Sequence, residues 1–367
     1  MKILVIGNST RGIVCSARKA GYTVYSLDNF CDVDLRRCAD KAQFLGNQPE
    51  KRIMELAGSF GEFDAVILGP GFEKLKFKNT LNNSLSITEE VNDKLSIAEK
   101  FSSLGIPHPG TEPLGRASGL KFPLMIKPRW GAGGILNVVV KNEDEMEDFR
   151  ARNDQERFIA QEFVEGIPCS ASLIGTGSDA EVVALNEQLI GIPWLTRLPF
   201  AYCGNITPFY ASYRDEMAGC AEKIADEFGL VGSNGIDFIH TENGVVVIEI
   251  NPRFQGSLDS VELSTGLNIF DSHVKSFSGE LPKKREYGCF AGKATVFADK
   301  KVVINQAISG ELIGLLAMNR AADIPSAGWI VKPDEPITTL IETGSSRKNV
   351  LEKLVRSAHH LRTKTEV

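Results

Sequence analysis

Three side chains past the middle of the chain, Asp237, Glu249 and Asn251, have types and spacing suited to a hard divalent cation. They lie in GSNGIDFIHTENGVVVIEINPRFQGS (232–257), which predicts two short strands joined at Thr241-Glu242-Asn243-Gly244. Strand side chains alternate faces, so Glu249 and Asn251 share one face while Ile248 and Ile250 point into a core. The turn decides where Asp237 falls. A two-residue Asn243-Gly244 turn would set it across from Ile250, on the wrong face. A three-residue loop ending in Gly244, which tolerates the left-handed position of a bulge, sets it opposite Glu249, and this register is the one expected. Three oxygen ligands on one face suit Mg²⁺ better than a softer metal. An ordinary hairpin with a wet polar face explains the two strands equally well. Arg253 tips the balance, because a permanently charged guanidinium beside a divalent cation is equipment for phosphate.

Two earlier segments carry compatible chemistry. Residues 122–140 predict a strand, a loop with Gly131, Gly133 and Gly134, and a second strand, which is a hairpin flap rather than a strand-to-helix phosphate loop. Glycines let backbone amides approach a phosphate closely, and Lys127 adds a point charge. Residues 158–166 predict an apolar strand ending in the bend Glu162-Phe163-Val164-Glu165-Gly166. Such a bend offers backbone groups and a carboxylate to a purine and its ribose.

These motifs need elements to hold them. Residues 1–86 alternate strands at 2–6, 22–27 and 64–68 with helices at 13–20 and 50–60, predicting a small parallel α/β domain. The turn Gly7-Asn8-Ser9-Thr10-Arg11-Gly12 has neither dinucleotide-binding nor P-loop spacing and reads as a plain tight turn. Arg11 and Gly69-Pro70-Gly71, at strand ends, are candidates to hold an anionic substrate group. A helix over 92–104 is capped by Asn92 or Asp93 and stopped by Gly105-Ile106-Pro107. Strands at 170–174 and 181–189, helices at 213–228 and 258–278, and short strands from 288 follow. A basic final helix at 347–362 presents a solvated face, as do Asp259 and Glu262 on the helix before it. Residues 198–208 either line the substrate site or serve as a structural connection, and Trp130 either shields the flap or packs.

The chain has 367 residues, 43% hydrophobic and 24% charged, which is soluble globular composition with room for two or three domains. A net charge of −6 without any basic run argues against nucleic acid as a partner. No apolar stretch reaches membrane-spanning length, and MKILVIG reads as a buried strand rather than a signal peptide. Seven cysteines without a CxxC pair and five scattered histidines argue against zinc. The cysteines read as reduced thiols of a cytoplasmic protein.

Taken in order, Asn92-Asp93-Lys94, IKPRWGAGG (126–134), AQEFVEG (160–166), Asp237 and IEINPR (248–253) resemble the ATP-grasp superfamily, in the branch of biotin carboxylase and the purine-biosynthetic carboxylate–amine ligases. Asp323-Ile-Pro-Ser-Ala-Gly328 and residues 336–344 resemble the trailing region of an archaeal group of predicted ATP-dependent carboligases. The resemblance implies an α/β (α+β) ATP-grasp fold behind a Rossmann-like, parallel α/β pre-ATP-grasp domain. Its expected divisions are 1–90, a flap-bearing small subdomain at 91–164, a large subdomain at 165–290, and C-terminal strands and helix at 291–367. Lys94 and Lys127 match the lysines that hold ATP phosphates, and Gly131, Gly133 and Gly134 the flap. Glu162 with the backbone of Phe163 and Val164 matches the adenine hinge. Asp237, Glu249 and Asn251 match the Mg²⁺ ligands (with Mn²⁺ as a substitute), and Arg253 the arginine stabilising the transferred phosphoryl. The implied activity is an ADP-forming carboxylate–amine or carboxylate–thiol ligase on small molecules, working through an acyl phosphate, in a cytoplasmic protein that is a homodimer by default. A bicarbonate-using carboxylase and a non-catalytic ATP-binding regulator are the alternatives.

Two departures stand out. After the hinge glycine the chain reads Ile167-Pro168-Cys169 rather than an acid for the ribose, so Glu165 is the substitute. After Arg253 it reads Phe254-Gln255-Gly256-Ser257, without the glutamate that a carboxylase uses on bicarbonate.

Overall fold

A computed structural model describes residues 1–131, 133–134 and 136–365. Ala132 of the expected flap lies outside the described residues.

The first sheet is parallel, in the order Lys41–Phe44, Thr23–Asp28, Lys2–Gly7, Ala65–Leu68. Its central strand is apolar on both sides because both sides are covered. Ile3 and Val5 pack with Ile13, Val14 and Ala17 of the helix Arg11–Lys19. Leu4 and Ile6 face the other way, onto Ile53, Leu56 and Ala57 of the helix Glu50–Gly58. The short helix Val33–Cys38 and the edge strand Lys41–Phe44 were not anticipated, being too short and polar to show a period.

The small antiparallel sheet runs Thr111–Pro113, Phe158–Glu162, Leu124–Pro128, Val138–Val140. Leu124 pairs with Val140, so the glycine loop is the tip of a hairpin, as expected. Before it stands the helix Lys94–Leu104. Asp93 caps it by accepting from the backbone N of Leu95 and Ser96, and Gly105 ends it at φ 64°.

The third sheet has eight antiparallel strands: Gly244–Asn251, Val231–Thr241, Ile167–Thr176, Ala180–Ile190, Tyr202–Thr207, Phe290–Phe297, Pro336–Gly344 and Ala321–Ala322. It draws strands from both sides of position 290, so no break in the sheet falls there. The helix Arg214–Glu227 covers one face, with Ala221 and Ile224 in a core shared with Leu173 and Phe238.

Several expectations need correction. The helix expected over 258–278 is two, Leu258–Thr265 and Ile269–Ser276, interrupted at Gly266 in the left-handed region. Most of 198–208 is the interior strand Tyr202–Thr207, with Cys203, Asn205, Ile206 and Thr207 buried. The final helix, Arg347–Thr365, is not simply solvated, because Arg347 pairs with Glu187 and Arg362 with Asp299. Cys15 and Cys38 form a disulfide joining the first helix to Val33–Cys38, so they are not reduced thiols, whereas Cys31, Cys169 and Cys203 are buried and free. Among the described residues no helix is long and apolar enough to cross a membrane.

Candidate active site

Between the small sheet and the large one lies a cleft of about 1090 Å³. The residues expected at the nucleotide and metal sites line it: Lys94 and Lys127, the described flap glycines, the bend 162–166, and Asp237, Glu249, Asn251 and Arg253.

Asp237 is directly opposite Glu249, as expected, but the device differs. Thr241 pairs with Gly244, so the turn is the two residues Glu242-Asn243. Regular pairing holds to Phe238 and Val247, and then Ile248 is inserted as a bulge before Asp237 meets Glu249. The bulge takes Ile248 out of the core and into the cleft wall, correcting its expected direction, while Ile250 stays buried. A hairpin of uniform alternation could not present Ile248 and Glu249 to the same cleft.

Around Asp237 the hydrogen bonds are specific. Asn251 Nδ2 donates to Oδ2 at 3.0 Å, and Gln188 Nε2 donates to Oδ1 at 2.9 Å. Burial, and then the facing Glu249, push the Asp237 carboxyl well above its usual range, against the opposing pull of Asn251 and Arg253. Two facing carboxylates repel each other, and a cation held between them relieves that repulsion. With its nitrogen committed to Asp237, Asn251 has its carbonyl oxygen left to offer. Among the described residues no three His, Cys, Asp or Glu gather into a metal cage. Two carboxylates and an amide are nevertheless a fitting set for Mg²⁺, which commonly takes one or two carboxylates and completes its shell with phosphate oxygens and water.

The cations stand close by. Lys94 Nζ lies 2.6 Å from the Gly131 carbonyl oxygen and 3.8 Å from Glu249 Oε2. Lys127, only 4% exposed, is pushed down to about 8 by burial, with Lys94 adding to the effect and Glu249 and Asp237 opposing it. Arg129 grips Asp93 with two hydrogen bonds, 2.7 and 2.6 Å, so the base of the flap is clamped to the cap of Lys94's helix. Arg129 also lies 4.5 Å over the Trp130 ring, which lines the cleft while remaining half exposed. At the bend, Glu162 N donates to Gly110 O and Phe163 N to Pro123 O, so Phe163 can offer the cleft only its carbonyl. Glu165 is exposed at the cleft wall.

Two residues of this site escaped the sequence. Gln188 reaches the cleft from the third sheet, a single polar residue without any motif around it. Glu73, after the Gly69-Pro70-Gly71 turn, lies 3.4 Å from Arg253 Nε and brings a carboxylate from the first domain. Other expectations fail. Arg11 cannot hold an anionic substrate: it is buried and paired with Asp259 at 2.5 Å, Asp323 at 2.8 Å and Asp34 at 3.5 Å. Asp259 is no surface acid either, since it also pairs with Lys293 at 2.9 Å, and Glu262 is buried against Ser16 and Lys19. Of residues 198–208, Pro199, Phe200 and Tyr202 line the cleft, so the segment serves partly as lining and partly as sheet.

Known proteins share this layout. The chain is 27% identical over 366 residues to an uncharacterized protein of Methanocaldococcus jannaschii, covering 93% of this chain and 88% of that one. The biotin carboxylase domain dimer of Hydrogenobacter thermophilus 2-oxoglutarate carboxylase, in complex with MgADP and bicarbonate, superposes with TM-score 0.75 at 18% identity, covering 97% and 89%. N5-carboxyaminoimidazole synthetase of Staphylococcus aureus, complexed with ADP, gives TM-score 0.75 at 18% identity, covering 97% and 96%. The ATP-grasp domain model matches residues 91–257, the span from the helix before Lys94 through Arg253. The chain has the ATP-grasp fold, and its residues 91–257 are an ATP-grasp domain.

Proposed function

We propose that the chain is an ATP-dependent, ADP-forming ligase that joins a small-molecule carboxylate to an amine or thiol through an acyl phosphate. One observation carries the reading: Asp237 faces Glu249 on the wall of a nucleotide-sized cleft, with Lys94 and Lys127 beside them. A carboxylate is a poor electrophile until phosphorylated, and phosphoryl transfer demands mainly positioning and charge compensation.

In this reading the bend 162–166 holds the adenine, with Glu165 toward the ribose, and the flap from Gly131 covers the phosphates and excludes water. Lys94 and Lys127 hold phosphate oxygens. Asp237, Glu249 and Asn251 would hold Mg²⁺, which neutralises phosphate charge when bound. Gln188 and Asn251 keep the Asp237 carboxylate aimed. Arg253 stabilises the transferred phosphoryl group, and Glu73, 3.4 Å from its Nε, holds that guanidinium in position. No side chain needs to act as a nucleophile.

The carboxylase alternative is the weaker. Gln255, which follows Phe254 where an acid would be wanted, is tied down: it accepts from Ser172 Oγ at 3.1 Å and lies over Gly235, where a Cβ would sit 1.4 Å from its Nε2. The test is an ADP-release screen of carboxylates and amines with Mg²⁺, run with and without bicarbonate. A carboxylate and an amine together should drive ADP release irrespective of bicarbonate. Release that depends on bicarbonate would favour the carboxylase, and tight ATP binding without turnover on any pair would favour a regulator.

A further inference from the structure

The carboxyl end of the first sheet holds more acid than its cations can balance. Asp28, Asp32 and Asp34 of the first domain meet Asp259 and Asp323, against Arg11, Lys293 and, beside Cys31, Arg36. Four of these carboxylates are satisfied. Asp28 accepts from the backbone N of Thr10, Phe30 and Cys31, Asp34 from that of Asp323 and Ile324, and Asp259 and Asp323 from Arg11. Asp32 is the exception. It is 7% exposed and its carboxyl makes no hydrogen bond or ion pair with any described residue, although it precedes the helix Val33–Cys38 where a capping bond was open to it.

A second acceptor on the same loop is also without a donor. Asn29 Oδ1 stands alone among the described residues as a buried side-chain polar atom with no partner. Its own Nδ2 donates to Asn8 Oδ1 at 2.6 Å, and the Asn8 backbone N donates to Pro70 O at 3.1 Å. Pro70 lines the large cleft, so the loop is joined to the wall of the proposed reaction site through Asn8. Ligands of parallel α/β sheets gather at this edge.

A buried amide oxygen without a donor and an unpaired carboxyl, set among surplus carboxylates, call for a ligand that donates hydrogen bonds and carries positive charge. We propose that the loop 28–32 binds a protonated amine through Asp32 and Asn29. An attacking amine must be uncharged, so this ammonium is a second group on the substrate, apart from the reacting one. That assignment rests on the ligase reading above; the binding site does not. Burial, and then Asp323 and Asp34, push Asp32 up to about 8, which suits a carboxyl that awaits a cation.

The test is calorimetric titration of the full chain near neutral pH, without ATP, by 1,4-diaminobutane, L-ornithine and, as the neutral control, 1,4-butanediol. An amine should bind saturably and the diol should not, and Asp32→Asn should weaken the amine about tenfold or more. Without ligand, Asp32→Asn should raise Tm, because it removes an unpaired buried carboxyl. Asn29→Ala should weaken amine binding in the same direction. The proposal is overturned if no amine binds, if the diol binds equally, if Asp32→Asn binds as well as the parent, or if that variant lowers Tm. ADP titration in the same series reads the ligase proposal separately: no ADP binding by the parent chain would sink that reading and leave the amine result standing.

Discussion

Lys127 shows what the site costs at the residue scale. Its ammonium is moved from an ordinary 10.5 to about 8, mainly by burial. The unfolded chain therefore keeps this proton up to about pH 10.5, while the folded chain keeps it only to about pH 8. Between those values the unfolded state binds more protons, so stability rises with pH; below them the folded state bears a penalty of about 3 kcal/mol. Lys127→Met should raise Tm at pH 7 in scanning calorimetry, the gain should fade toward pH 10.5, and ATP turnover should collapse. A lower Tm at pH 7 would mean that Lys127 is structurally compensated. The residues legible in sequence were those in compact motifs, such as Ile248-Glu249-Ile250-Asn251-Pro252-Arg253. Gln188 and Glu73 were not, because each meets its partner, Asp237 or Arg253, only through pairings remote in sequence.

At the scale of elements, the hairpin of Asp237 and Glu249 was read with the right partners and the wrong mechanism. Placing the irregularity in the turn and placing it at Ile248 both set Asp237 against Glu249, but only the latter sends Ile248 to the cleft. Apolar residues on either side of a bulge look alike in sequence, so the choice was not visible. The bend carries its own requirement. At Gly166 a Cβ would come within 2.4 Å of the His240 carbonyl oxygen. Gly166→Ala must push the bend off the hairpin, so nucleotide affinity should fall and the protein should lose about 1–3 kcal/mol, read by ADP titration and thermal unfolding. The clamp between Arg129 and Asp93 predicts a different pattern. Asp93→Ala removes a helix cap of about 1 kcal/mol as well as the grip on the flap. The KM for ATP should therefore rise more than kcat falls, and an unchanged KM would separate the clamp from the nucleotide site.

Over the whole molecule, the alternation of strands and helices announced the first domain, and the motif order announced the ATP-grasp domain. What stayed hidden was how the domains lock together. Arg11, Asp34, Asp259 and Asp323 come from widely separated stretches, with Arg11 reading as a candidate anion holder and Asp259 as a surface acid. Their burial in one cluster makes Arg11 a keystone, and removing one partner of a buried pair costs about 3–5 kcal/mol. Arg11→Ala should lower Tm by several degrees and loosen the first domain, with faster amide exchange over 1–45 than over 91–257. Uniform exchange across the chain would contradict that placement. The disulfide between Cys15 and Cys38 belongs to the same region and was likewise hidden, since cysteines without a paired spacing read as reduced thiols.

The central claim is that the hairpin bearing Asp237, Glu249 and Asn251 supports transfer of the γ-phosphoryl group of ATP to a carboxylate. It is tested most directly by supplying ATP, Mg²⁺ and a carboxylate panel together with hydroxylamine, and measuring ADP and hydroxamate in the parent chain and in Glu249→Gln. The expected result is equimolar ADP and hydroxamate for the cognate acid, with both abolished in Glu249→Gln. AMP in place of ADP, or undiminished hydroxamate from Glu249→Gln, would contradict it.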